Sequence, residues 1–187
     1  QPYSEEFGNL KDFFITEDRI FLINDNKLEI RVNDFNLTKL YSSSNITEGE
    51  VFQTPSKLVY NDVLNKIVVL DSNKRFVYVF DIENDVPTLT HYWGGVGSAQ
   101  SRTKLNNPTD VYTDIYTNIL VVDANSLVIK VYNKFLNWTT NIAYSEWDMT
   151  NRPISITSDS DEYYVLTETG TVYIFDVNYE FVTKFET

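Results

Sequence analysis

The chain has 187 residues, 42% of them apolar and 15% aromatic, with six glycines and no cysteine. That composition excludes a disordered or low-complexity chain, a disulfide framework and thiolate metal sites, and no apolar run reaches the ~18 residues of a membrane-spanning helix. With 27 acidic against 15 basic side chains and a net charge of −12, the surface repels phosphate backbones and anionic lipid, so neither nucleic acid nor membrane insertion is expected.

Read in chain order, one pattern is written four times. An apolar run leads into a polar turn, a second apolar run follows, and an Asp or Asn closes it, at Asp34, Asp81, Asn133 and Asp176. A strand-built repeat of roughly 45 residues is the size of a four-stranded β-propeller blade. The first unit offers DFFIT, then RIFLIN and KLEIRV around Asn24-Asp25-Asn26-Lys27, then Leu37–Tyr41. In the second, SKLVY precedes Lys66–Leu70 and Arg75–Phe80, which flank Asp71-Ser72-Asn73-Lys74, and Thr88–Tyr92 comes last. TDVYT, the hairpin around Asp123-Ala124-Asn125-Ser126 and Asn137–Ile142 make the third; ISIT, the hairpin around Thr167-Glu168-Thr169-Gly170 and Glu180–Phe185 make the fourth. Asn and Asp suit these turns because they tolerate left-handed backbone and bond their own main chain, and Gly170 supplies a positive φ directly. Pro55, Pro108 and Pro153 open their strands, where a missing N–H costs no ladder bond.

The expectation is an all-β fold, a β-propeller whose four four-stranded antiparallel blades cover 7–41, 55–92, 108–142 and 153–185 within one whole or partial domain over 1–187. Ile67–Leu70 and Ile119–Val122 are apolar without alternation, the mark of strands covered on both faces. No terminal strand completes a blade from the other end, so blades one and four should each keep an apolar face that needs a neighbour. A larger ring is therefore expected, with further blades from missing sequence or another chain. Gln1 in place of an initiator Met also suits a piece of something longer.

Trp93 to Ile142 resembles the NHL repeat: a Gly-containing linker, a Pro-x-Asp-Val strand, a Val-Val-Asp-x-Asn hairpin and a strand ending in Tyr-Asn. Gly97, Pro108, Asp110, Val111, Val121, Val122, Asp123, Asn125, Val131 and Tyr132 fill those places. Blade two follows the pattern moderately and blades one and four loosely; blade four lacks the hairpin Asp. The resemblance implies an interaction scaffold, commonly six-bladed; some members bind RNA on a basic face, and a few enzymes with metal-assisted lyase or hydrolase activity share the architecture. Val68 to Asp71 is similar, more weakly, to the insect yellow and royal-jelly propellers.

Catalytic signatures are sparse. His91 is the only histidine, so His-based zinc chemistry has no second ligand. Gly94-Gly95-Val96-Gly97 opens no helix and is neither a P-loop nor a dinucleotide fingerprint. Asp25, Asp71 and Asp123 recur at equivalent hairpin positions, as turn residues do. Asp12 and Asp110, on innermost strands, and Asp159 and Asp161, in the acidic loop Ser158–Glu162, are the weak metal candidates; calcium is a cation such hard oxygens take, and no other cofactor is expected. Three Asn-x-Thr tripeptides, at Asn36, Asn45 and Asn137, are too common in so Asn-rich a chain to indicate secretion.

The connectors Ser42–Thr54, Trp93–Asn107 and Ala143–Arg152 should cross one face, where loops on a rigid scaffold usually bind. They carry Phe52, Trp93, Arg102, Lys104, Tyr144, Trp147 and Arg152, residue types that dominate interface energies, and these are the expected protein-binding set. The chain thus reads as a non-enzymatic binding or assembly scaffold, a role that includes a structural part of a large complex, with no catalytic residue assigned. The alternative is a metal-assisted lyase or hydrolase whose site is completed by further blades.

Overall fold

The computed structural model describes residues 7–34, 36–43, 52–98 and 100–186. The Asn45 tripeptide and most of the first connector lie outside them. Beyond one short 3-10 turn at Ala124–Ser126 the elements are all strands, and no helix is long and apolar enough to cross a membrane among the described residues.

The chain forms two compact units, Gln1–Tyr92 and Trp93–Thr187. In the first, blade one is β1 (Leu10–Ile15), β2 (Arg19–Asn24), β3 (Lys27–Val32) and β4 (Lys39–Ser42). Blade two is β5 (Pro55–Asn61), β6 (Lys66–Asp71), β7 (Phe76–Glu83) and β8 (Val86–Gly94). In the second, blade three is β9 (Pro108–Thr113), β10 (Ile119–Asp123), β11 (Val128–Tyr132) and β12 (Trp138–Ile142). Blade four is β13 (Pro153–Ser158), β14 (Glu162–Thr167), β15 (Thr171–Asp176) and β16 (Phe181–Glu186). Every sheet pairs neighbours in chain order, as four short hairpin-linked strands must. The three prolines stand at the first residue of their strands, as anticipated.

The turns depart from expectation in an instructive way. Blade one uses Asp25 and Asn26 at φ 50° and 60°, and blade four uses Gly170 at φ 88°. In blades two and three the left-handed residue is instead Arg75 (φ 60°) or Leu127 (φ 55°). The hairpin Asp is held elsewhere: Asp71 accepts the N–H groups of Gln53, Thr54 and Lys74 (2.6, 3.0 and 3.1 Å), and Asp123 those of Asn106 and Asn107 at 2.8–3.1 Å. Each ties its hairpin to the linker that enters the same blade, and both are fully buried. Asp25 performs the same service for Asn9 at 2.7 Å. Blade four, without the Asp, reverses it: linker residues Asn151 and Arg152 reach out to Thr169 and Glu168.

Within each unit two blades share one core. Phe21, Ile23, Leu28 and Ile30 of blade one meet Leu58, Ile67, Val69, Tyr78 and Phe80 of blade two. In the second unit Leu120, Val122, Ile129, Val131 and Ile142 of blade three meet Tyr163, Val165, Tyr173 and Phe175 of blade four. Each such side chain is worth about 1.5–3 kcal/mol on burial. Carboxylates stitch the inner strands as well. Asp12 accepts the Leu58 N–H at 2.8 Å, and Asp110 accepts the Ile156 N–H at 3.0 Å and the Ser155 hydroxyl at 2.5 Å.

Away from the shared core, blade one is open along β1, where Phe13 and Ile15, the register partners of Leu22 and Ile20, are 55% and 52% exposed, but it closes farther into the sheet. Behind its core row lie Leu22, Glu29 and Arg31, all at 3% exposure or less. Arg31 donates to Glu29 through Nε and Nη2 (3.2 and 2.9 Å), and its guanidinium lies 4.7 Å from the Phe7 ring. The alternation Leu-Glu-Ile-Arg reads as a solvated polar face; burial as a hydrogen-bonded pair makes it an interior one.

Candidate functional site

The anticipated protein-binding set divides into a buried group and an exposed one. Phe52 is a core residue, edge-on to Tyr78 at 5.3 Å, and Trp147 is 4% exposed against Tyr173 and Phe175. Both are therefore corrected from contact residues to blade-sealing ones, since neither offers surface to a partner. Trp93 belongs to β8 rather than to a connector and packs half-buried on Tyr132, with ring centroids 4.7 Å apart. Tyr144 stacks on Phe181 at 4.4 Å. Arg152 is bound bidentately by Glu168, at 2.8 Å for each bond, and also by Asn125 at 2.5 Å. Only Arg102 and Lys104 stand exposed, Arg102 with its guanidinium 4.9 Å from the Trp138 ring.

Their loop is tied to blade three by a contact that lay hidden in the sequence. Lys130, on β11, is fully buried, and its ammonium donates to the carbonyls of Ser98, Ser101 and Lys104 at 3.3, 2.5 and 2.7 Å. Asp123 lies 3.8 Å from the same nitrogen. Burial pulls the Lys130 pKa below the ordinary lysine value, against the opposing pull of Asp123. Gly97 completes the fit, because a Cβ there would lie 2.1 Å from the Lys104 Cβ. A single Lys within Val-Ile-Lys-Val-Tyr was the available signal, since an unpaired ammonium is seldom placed amid a core strand.

The weak metal candidates are all engaged. Asp12 and Asp110 hold backbone N–H groups of the next blade, as described above. Asp159 accepts the N–H groups of Asp161 and Glu162 (2.8 and 2.9 Å) and the Tyr164 hydroxyl (2.8 Å), and the Asp161 N–H holds its carboxyl below the usual aspartate range. Asp161 accepts from Ser160. Among the described residues no three His, Asp or Glu side chains converge as a metal requires. His91 is exposed on β8.

What stands out is the outer face of blade four. By strand register, Tyr164, Leu166, Val172, Ile174 and Phe185 occupy the positions of Leu120, Val122, Ile129, Val131 and Ile142 in blade three. In blade three that row is at most 1% exposed, sealed by blade four. In blade four the first four are partly exposed and Phe185 is 51% exposed. The edge strand β16 is exposed along its whole length.

No family model and no curated protein matches the chain. Solved structures do. A protein of unknown function from Desulfotomaculum acetoxidans superimposes with a TM-score of 0.73 at 16% identity, over 98% of this chain and 58% of its own. A catalytically inactive histidine-to-alanine variant of the virginiamycin B lyase from Staphylococcus aureus gives 0.69 at 9% identity, over 100% and 58%. Raptor from Chaetomium thermophilum gives 0.68 at 14%, over 97% and 17%. This chain thus spans less than three-fifths of the length of each. At such identities the likeness defines the fold alone: with its four four-stranded antiparallel blades, the chain is an all-β protein of the β-propeller type.

Proposed function

We propose that the chain is a non-enzymatic assembly scaffold whose fourth blade is covered by a further blade from the same or another chain. The observation that carries this reading is the partly exposed row Tyr164, Leu166, Val172, Ile174 and Phe185, which repeats position by position a row that blade three buries almost completely. Contiguous apolar surface of this kind marks a contact site, and a sheet of the same blade geometry is the shape that fits it. We also read blade three as an NHL-type repeat, on the residues given above, which accords with a scaffold role.

A lyase-like reading draws on the fold likeness to the virginiamycin B lyase. The scaffold is preferred because Asp12 and Asp110, the inner-strand carboxylates such a site would draw on, are engaged in joining blades.

Sedimentation velocity over a concentration series, combined with amide exchange of β16, tests the proposal. The expected result is association that raises the average mass and protects β16, and its loss in Val172→Lys/Ile174→Lys. A dispersed monomer whose β16 amides are as protected as those of β10 and β11 would show that blade four needs no cover, and the scaffold reading would fall.

A further inference from the structure

The first unit contains a cleft of about 530 Å³ that belongs to none of the surfaces above. It lies where the β1–β2, β5–β6 and β7–β8 hairpins converge, away from the linkers that enter the blades. Its floor is the partly exposed Tyr60 ring, backed by the buried Phe21, the two stacked with centroids 4.4 Å apart and planes 25° from parallel. Its walls carry Glu17, Asp18, Asp62 and Asp85 against one cation, Arg19.

That cation is already committed. Arg19 donates to both oxygens of Asp85 (2.6 and 3.0 Å) and to Asp18 at 3.2 Å. The carboxylates of Glu17 and Asp62 make no hydrogen bond or ion pair among the described residues, and the rim keeps an unbalanced negative charge. Burial raises the Tyr60 pKa, and the nearby charges of Asp62 and then Asp18 raise it further.

The second unit supplies the control. At its corresponding corner the Tyr163 hydroxyl donates to Asp114 at 2.8 Å, and Tyr179, from the β15–β16 hairpin, packs on Tyr163 with centroids 5.1 Å apart. The corresponding hairpin in the first unit offers Asn84 and Asp85, both in the left-handed region at φ 51° and 63°. One corner is filled by a tyrosine; the other has an acidic rim over an aromatic floor.

We propose that this cleft binds an organic cation, an ammonium or guanidinium head carried on an apolar stem. The stem would lie on Tyr60, where a cation also gains from the ring face, and the head would meet Asp62 and Glu17. The volume lies in the range of small-ligand sites. A bare metal ion fits less well, because it would leave the aromatic floor unused and no three carboxylates converge. The head can belong to a lysine or arginine side chain of a polypeptide or to a free polyamine.

Amide chemical shifts of the full chain, titrated with acetyl-lysine methylamide, acetyl-arginine methylamide, spermidine and the neutral acetyl-norleucine methylamide, decide the matter. The cations should give saturable shifts at Glu17, Tyr60, Asp62 and Asp85, and the neutral probe none. Added salt should weaken binding, and Asp62→Asn should weaken it about fivefold, the worth of one exposed charge pair. Asp62 is exposed and makes no hydrogen bond or ion pair among the described residues, so an unchanged spectrum elsewhere confirms an intact fold. Tighter binding of the amino-acid probes identifies a polypeptide ligand, and tighter binding of spermidine a free amine. Absence of saturable shifts, equal binding of the neutral probe, or indifference to Asp62→Asn would overturn the proposal. None of these outcomes depends on the assembly reading of blade four.

Discussion

Blades three and four lie side by side in one unit with matching registers, but their middle strands live in different surroundings. β10 and β11 are buried at every residue, whereas β14 and β15 are buried at alternate residues and partly exposed between. Their sequences do not announce this, because Tyr-Tyr-Val-Leu and Val-Tyr-Ile-Phe are as continuously apolar as Ile-Leu-Val-Val. A strand apolar on both faces but covered on one retains free energy for a neighbour, which makes the contrast a statement about assembly as well as stability.

Lys130→Ala should strain the comparison most, on the side of blade three. It strands three carbonyls and the buried Asp123, so about 3–5 kcal/mol should be lost in chemical denaturation. Next comes the paired substitution at one register position. Ile129→Ala should cost about 2–5 kcal/mol, while Val172→Ala in blade four should stay within about 1 kcal/mol for the unassociated chain. Equal losses would mean that the two faces are equally covered. Asp110→Ala, which removes two of the hydrogen bonds joining the two blades, should cost about 1–3 kcal/mol by leaving the Ile156 N–H unmet, with Asp110→Asn milder because it keeps an acceptor.

The smallest effect is one of pH. Asp176 in blade four and Asn133 in blade three close their turns alike: Asp176 accepts the N–H groups of Asn178 and Glu180 (both 2.9 Å), and Asn133 those of Phe135 and Asn137 (3.0 and 3.2 Å). Bonds from the Glu180 and then the Asn178 N–H hold the Asp176 carboxyl below the usual aspartate range. A carboxyl depressed by folding stabilises above its unfolded pKa of about 3.9 and loses that contribution as pH falls through the lower folded value. Melting temperature measured from pH 5 downward should therefore decline less steeply in Asp176→Asn, and Asn133→Asp should steepen the decline.

Much of this architecture was legible beforehand. The four-fold period, the strand order within each blade and the opening prolines follow from local chemistry: β-branched and aromatic runs, turn formers between them, and a proline that can only begin a strand. The candidate site was far less legible. Phe52 and Trp147 carried an interface-like composition and turned out to seal cores, because residue type cannot say which side of a linker faces inward. The roles of Asp71 and Asp123 escaped because a turn aspartate and a linker-clamping aspartate look alike until the linker is seen folded back upon it. The same holds for the cleft over Phe21 and Tyr60, whose walls come from three hairpins far apart in the chain.

By itself the sequence determined the repeat, the strands and which residues were apolar, since these depend on neighbours within a few positions. Only the tertiary structure decided which apolar faces are covered, which carboxylates join blades, and where an ammonium lies buried among carbonyls. Those outcomes depend on contacts between residues some 15 to 50 positions apart, set by how one sheet lies on the next rather than by the composition of either.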